Sequence, residues 1–147
     1  MDTGQIIIVT IISGFVGMYI GTAIHELTHY AVCRMRGASA TIVTDRLYLP
    51  HKTIFERPGE LSYSTIRLAA GLVVIYPVSA LLLLILLGIP DIGGESLLFF
   101  ILCGASVVSP ADWLGILYPE RWQEYAINYS GEGHRETLQI LITEIRK

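Results

Sequence analysis

Thr22-Ala23-Ile24-His25-Glu26-Leu27-Thr28-His29-Tyr30 places two imidazoles and a carboxylate inside a stretch that otherwise reads as a membrane-spanning helix. On an α-helix, residues four apart share a face one turn up, so His25 and His29 can aim ring nitrogens at one ion while Glu26 lies beside them. His-Glu-x-x-His on a helix is the zinc-hydrolase arrangement. The two His hold Zn²⁺, and the Glu, which is not a ligand, takes a proton from a water that the ion activates. The pattern alone is short enough to occur by chance, so its surroundings decide its meaning.

Those surroundings are apolar. Of 147 residues, 52% are hydrophobic and 16% charged, and the mean hydropathy is +0.56, too apolar for an ordinary soluble domain of this length. Glu26 is the only formal charge from Thr3 to Cys33, none occurs from Leu68 to Pro90, and Asp112 stands alone from Ser96 to Tyr118. Each run exceeds the roughly 20 residues that cross a bilayer core of about 30 Å. The expected fold is an all-α membrane protein, one membrane-embedded domain over 1–147 with three transmembrane helices at about 6–35, 66–87 and 96–117. The first run lacks a basic leader, is too long for a secretory signal and carries the metal motif, so it is read as retained.

Charge sets the expected orientation. All ten Lys and Arg fall at Arg34, Arg36, Arg46, Lys52, Arg57 and Arg67, or at Arg121, Arg135, Arg146 and Lys147. Positive segments stay inside, which puts the 38–65 insertion and the 119–147 tail in the cytoplasm and the N-terminus and the Asp91–Glu95 turn outside. The net charge of -3 gives no reason to invoke nucleic acid. Cys33 and Cys103 suggest no disulfide framework. Cys33 extends the stripe of His25 and His29 but lies about 12 Å along the axis from His25, too far to share an ion.

Within the chain, Ser13, Gly17 and Gly21 precede His25 and His29 at steps of four, a small-residue stripe that lets a second helix approach the metal face. Gly37 suits a helix C-cap. Ala40–Thr44, Arg46–Leu49 and Thr53–Phe55 favour strands, with a turn expected over Leu49-Pro50-His51-Lys52, so a small β-hairpin-like insertion is expected at the cytoplasmic surface. Its exposed edge can either receive an extended peptide or serve as a plain connector. Pro77 and Pro110 are expected to kink spans two and three. Pro119 suits a helix start, Trp122, Tyr125 and Tyr129 suit the membrane interface, and Leu138, Leu141, Ile142 and Ile145 mark a C-terminal amphipathic helix.

Asp112 completes the candidate site. An acid within a span needs a partner. His25 and His29 lie roughly 10 to 16 Å from the inner end of span one, and Asp112 about 9 Å from that of span three. His25, Glu26, His29 and Asp112 are thus the ionisable groups that meet in the cytoplasmic third.

These residues resemble the site-2 protease family of intramembrane zinc metalloproteases. The likeness covers the three-helix core, with His25-Glu26-Leu27-Thr28-His29 in the first helix, a β-like cytoplasmic insertion, and an Asp in the third. The family's Asp is followed by Gly, whereas Asp112 is followed by Trp113, so the chain reads as a divergent, minimal member. The resemblance implies one Zn²⁺ per chain on His25, His29 and Asp112, Glu26 as the catalytic base, and hydrolysis of membrane-embedded or membrane-anchored protein substrates. His51 is a candidate oxyanion donor against a plain surface reading.

Three rival classes are set against this. A zinc transporter needs a path of sites across the bilayer, and this chain has one cluster near one face. A multi-His lipid oxygenase needs more than the four His present, of which His51 and His134 lie outside the spans. A non-proteolytic zinc-binding membrane regulator or adaptor that retains the site is the alternative, because it needs the same residues.

Overall fold

A computed structural model of the chain describes residues 3–44, 50–88, 94–128 and 134–147. Within them, α1 (Thr3–Met35) is an unbroken helix of 33 residues. It ends where Gly37 adopts φ 76°, with Ala38 N–H donating back to the Cys33 carbonyl and Gly37 N–H to that of Arg34. This is a Schellman cap, and the left-handed residue it requires is the expected glycine.

The chain then forms an antiparallel pair, β1 (Ala40–Thr44) and β2 (Pro50–Phe55), with Ala40 opposite Phe55, Ile42 opposite Thr53, and an irregularity between Val43 and Thr44. The expected turn over 49–52 is corrected here: Pro50, His51 and Lys52 belong to β2. Pro50 sits at the first position of the strand, where a missing N–H costs no ladder bond. Arg46–Leu49 lies outside the described residues. The hairpin does not stand beyond the end of α1 but packs along it, for Thr53 reaches Glu26.

A short 3₁₀ turn at Pro58–Glu60 leads to α2 (Tyr63–Leu72), capped by the Ser62 side chain, which accepts from Thr65 N–H. α3 (Ile75–Leu87) continues the same apolar path, so Tyr63–Leu87 is 25 residues long enough to cross a membrane, as is Thr3–Met35. The path breaks at Val73 and Val74, four residues before Pro77. The proline ring crowds the carbonyl at that distance and supplies no N–H, and the bonds there tighten to the 3₁₀ type, Val74 N–H to Gly71 and Tyr76 N–H to Val73. Leu81, Leu82 and Leu84 to Leu87 are exposed on α3, as lipid-facing residues are.

The third apolar run is not one helix. α4 (Gly94–Ala105) and α5 (Pro110–Leu117) meet at 64°, so among the described residues two helices are long and apolar enough to span a bilayer, or three if this bent pair counts as one. α4 lies tightly on α1. A Cβ on Gly21 would run into the Ile101 carbonyl and Ala105 N, and one on Gly104 into the Met18 carbonyl, so backbone touches backbone along the small-residue stripe. α6 (Pro119–Asn128) and α7 (His134–Ile145) close the described chain.

The interface reading of the α6 aromatics is corrected. Tyr125 is buried, and Trp122 packs edge-on against Phe55 with ring centroids 5.2 Å apart. Gln123 ties α6 to the 3₁₀ turn by donating to the Pro58 and Leu61 carbonyls. Tyr129 and residues 91–93 of the expected outer turn lie outside the described residues. On α7, Leu141 and Thr137 are buried, whereas Leu138, Ile142 and Ile145 of the expected apolar face are exposed.

Candidate metal centre

The helix period alone puts His25 and His29 on one face of α1, and α4 then fixes how His25 points. Its Nδ1 donates to the Ala105 carbonyl at 2.9 Å, which leaves Nε2 as a lone pair directed at the site. That carbonyl is available because α4 stops. In an unbroken helix it would accept from Ser109 N–H, but Ser109 N–H donates instead to Asp112 Oδ2 at 2.7 Å. The break therefore frees an acceptor for one site residue and a donor for another.

Asp112 is held by a capping box at the start of α5. Ser109 is the N-cap, Pro110 follows it, and Ser109 Oγ accepts from Asp112 N–H while donating to Oδ2 at 2.8 Å. With Oδ2 accepting from both Ser109 groups, Oδ1 is turned to the histidines, 3.1 Å from His29 Nε2. His25 Nε2 stands 3.1 Å from His29 Nε2 and 3.6 Å from Asp112 Oδ2. All three residues are buried.

These separations suit one ion. Zn–N and Zn–O bonds of about 2.0–2.2 Å at tetrahedral angles put neighbouring donor atoms ~3.3–3.5 Å apart. One donor atom from each of His25, His29 and Asp112 can be chosen with all within 4.8 Å of one another, and two neutral imidazoles with one carboxylate are nitrogen and oxygen donors of the kinds that zinc accepts. A metal ion can thus be held here. Ala105 and Ser109 supply the outer hydrogen bonds that orient such ligands.

Glu26 is not among the three residues of that cluster. Half-buried on α1, it accepts the Thr53 backbone N–H on Oε2 at 2.7 Å, and its own carbonyl accepts from Thr53 Oγ1 at 2.8 Å. Nearby, Thr28 Oγ1 donates to the Ile24 carbonyl and makes a short hydrogen bond with Tyr76 of α3. The structure thus brings together His25, His29 and Asp112 and sets Glu26 beside them. The His51 side chain lies outside the described residues.

Three contributors were not read from the sequence. Ser109 had a signal, since Ser-Pro-x-Asp is an N-cap, a helix-start proline and an acid three residues on. Ala105 and Thr53 had none, because each meets a partner 80 or 27 residues away in the chain. Comparisons of the chain with protein-family models, with curated protein sequences and with solved structures gave no match, so no relative lends it a function.

Proposed function

We propose that the chain is an intramembrane zinc metalloendopeptidase, hydrolysing peptide bonds of transmembrane or membrane-anchored proteins. The observation that carries this is the convergence of His25 Nε2, His29 Nε2 and Asp112 Oδ1, with the Glu26 carboxylate one residue beyond His25 in the chain. His25, His29 and Asp112 would hold the ion, leaving a fourth position open as catalytic sites do. When bound, the ion supplies Lewis acidity, polarising a carbonyl and making water acidic enough to yield its proton near neutral pH.

The chain's own groups do the rest. Glu26 takes that proton as the water adds to the scissile carbonyl, then returns it to the departing amine. Ala105 keeps His25 in the tautomer that exposes Nε2, and Ser109 keeps Asp112 turned to the histidines. A substrate helix hides its carbonyls within its own hydrogen bonds, so it must unwind locally to be cut, and helix-breaking residues in the substrate favour cleavage. The proposed topology has three passes with the bent α4–α5 pair as the third, the N-terminus outside, and both the site near and the C-terminus on the cytoplasmic side. The distribution of Lys and Arg supports this.

Cleavage of a membrane-anchored reporter by the purified protein in liposomes tests the proposal. The expected result is chelator-sensitive cleavage that Glu26→Gln lowers by about 10²- to 10⁴-fold while zinc stays bound. Zinc binding without cleavage of any of a panel of single-span reporters would instead favour a regulatory or adaptor protein that keeps the site.

A further inference from the structure

Glu26 projects from α1 one residue after His25, and a glutamate there has three torsions to wander through. As a base it must stay within hydrogen-bond reach of one water. α1 does nothing to fix its carboxylate, since no hydrogen bond from α1 to that group occurs among the described residues. The hairpin does.

Thr53 lies in the middle of β2, opposite Ile42, and is buried. Its N–H does not enter the ladder but donates to Glu26 Oε2 at 2.7 Å, and its Oγ1 donates to the Glu26 carbonyl at 2.8 Å. Two bonds thus join the same two residues. The first holds one carboxylate oxygen and leaves Oε1 unclaimed by Thr53. The second anchors the strand to the helix backbone, so that the N–H cannot drift away from the carboxylate. Hydrogen bonds to a charged acceptor are short and strong, as the first of these is.

We propose that Thr53 is the positioning residue for Glu26, fixing Oε2 so that Oε1 faces the reacting water; this rests on the hydrolase reading above. The β-hairpin is then part of the catalytic apparatus, not a connector lying at the membrane surface. Thr53 touches no metal ligand in this role and acts only through Glu26.

Two measurements on the full-length protein test it. The first needs no activity: backbone amide exchange over 50–55. Glu26→Ala removes the acceptor and Thr53→Val the hydroxyl anchor, and both should speed exchange of β2 several-fold, whereas Glu26→Gln keeps an acceptor oxygen and should leave it near the wild-type rate. The second is steady-state cleavage. Thr53→Val should lower kcat by about ten- to a hundredfold with KM and zinc content unchanged, the cost of a misplaced catalytic group. Thr53→Ser, which keeps the donor, should restore most of it.

Unaltered exchange in Glu26→Ala would overturn the proposal, as would wild-type kcat in Thr53→Val or a loss confined to KM or to zinc content. If the wild-type protein binds zinc and cleaves nothing while the exchange differences hold, the hydrolase reading has failed and the contact is a structural tie, which also overturns a positioning role.

Discussion

α1 runs unbroken from Thr3 to Met35 and presents His25 and His29 through helical periodicity, whereas α4 stops at Ala105 and Asp112 is presented only after a 64° turn into α5. Both arrangements bring a buried polar group to the same point. The continuous helix satisfies its own backbone and brings His25 and His29 to the cluster as side chains. The broken one leaves backbone groups unpaired, and the site uses them: the Ala105 carbonyl orients His25, and Ser109 N–H orients Asp112. Unpaired backbone groups are costly in a membrane unless protein satisfies them, so the break and the site stabilise one another.

The largest effect expected from breaking this comparison is at Asp112. Asp112→Ala removes the carboxylate that α5 brings to His25 and His29 and leaves two imidazoles from one helix, fewer than the three protein ligands usual for catalytic zinc. Zinc occupancy measured by mass spectrometry of metals should fall below about a tenth of wild type, with cleavage lost. Full occupancy would mean that another group closes the site.

Next comes the contact between the two sides. In Gly21→Val the new side chain meets the backbone of Ile101 and Ala105, which cannot fold away as a flexible side chain can. α4 must retreat, taking the His25 acceptor with it. Overpacking of this kind costs about 1–3 kcal/mol or more. A lowered unfolding midpoint together with weaker zinc binding is expected; a variant with normal zinc affinity would show that α4 does not orient His25.

A smaller effect is expected at the cap. Ser109→Ala leaves Asp112 in place but deletes the Oγ bond to Oδ2 and the bond from Asp112 N–H. Loss of an outer-shell partner costs about 10- to 100-fold in metal affinity, and loss of an N-cap about 0.5–2 kcal/mol of stability. Competition with a zinc chelator separates the two, and unchanged affinity would reduce Ser109 to a helix cap.

What was legible in the sequence divides along the same line. The histidine face of α1, its glycine cap at Gly37 and the close-packing stripe followed from local periodicity and residue size. Pro77 and Pro110 announced irregularity, and the first break falls at the carbonyl that the proline ring crowds. The sharpness of the turn before Pro110 was not legible, because it depends on Ala105 and Ser109 finding partners elsewhere. Hairpin formation was legible from β-branched residues, yet its packing along α1 was not. Thr53 meets Glu26 through its backbone N–H and its hydroxyl across 27 residues of chain, a long-range contact that no local pattern marks.

The smallest effect lies at the rim, where neither helix break nor metal is involved. Glu144 of α7 accepts from Lys147 Nζ at 2.8 Å and lies 3.1 Å from Arg121 Nε of α6, and the Lys147 bond, followed by the two positive charges, holds its carboxyl below the usual range. A depressed carboxyl stabilises the fold above its unfolded pKa and loses that contribution as pH falls through the folded value. Glu144→Gln should therefore lower the thermal midpoint by no more than about 2 °C near pH 7, with the difference fading under acid conditions. A difference that grew on acidification would reverse the sign assigned to this pair.

The most direct test of the central claim is X-ray absorption at the zinc edge, with metal stoichiometry, on the purified protein. About one zinc per chain is expected, with two imidazole nitrogens at about 2.0–2.1 Å, a carboxylate oxygen at about 2.0–2.2 Å and no sulfur. Folded protein free of metal would contradict the account, and so would a sulfur scatterer at about 2.3 Å, which would assign the ion to Cys33 or Cys103 instead of the meeting point of α1 and α5.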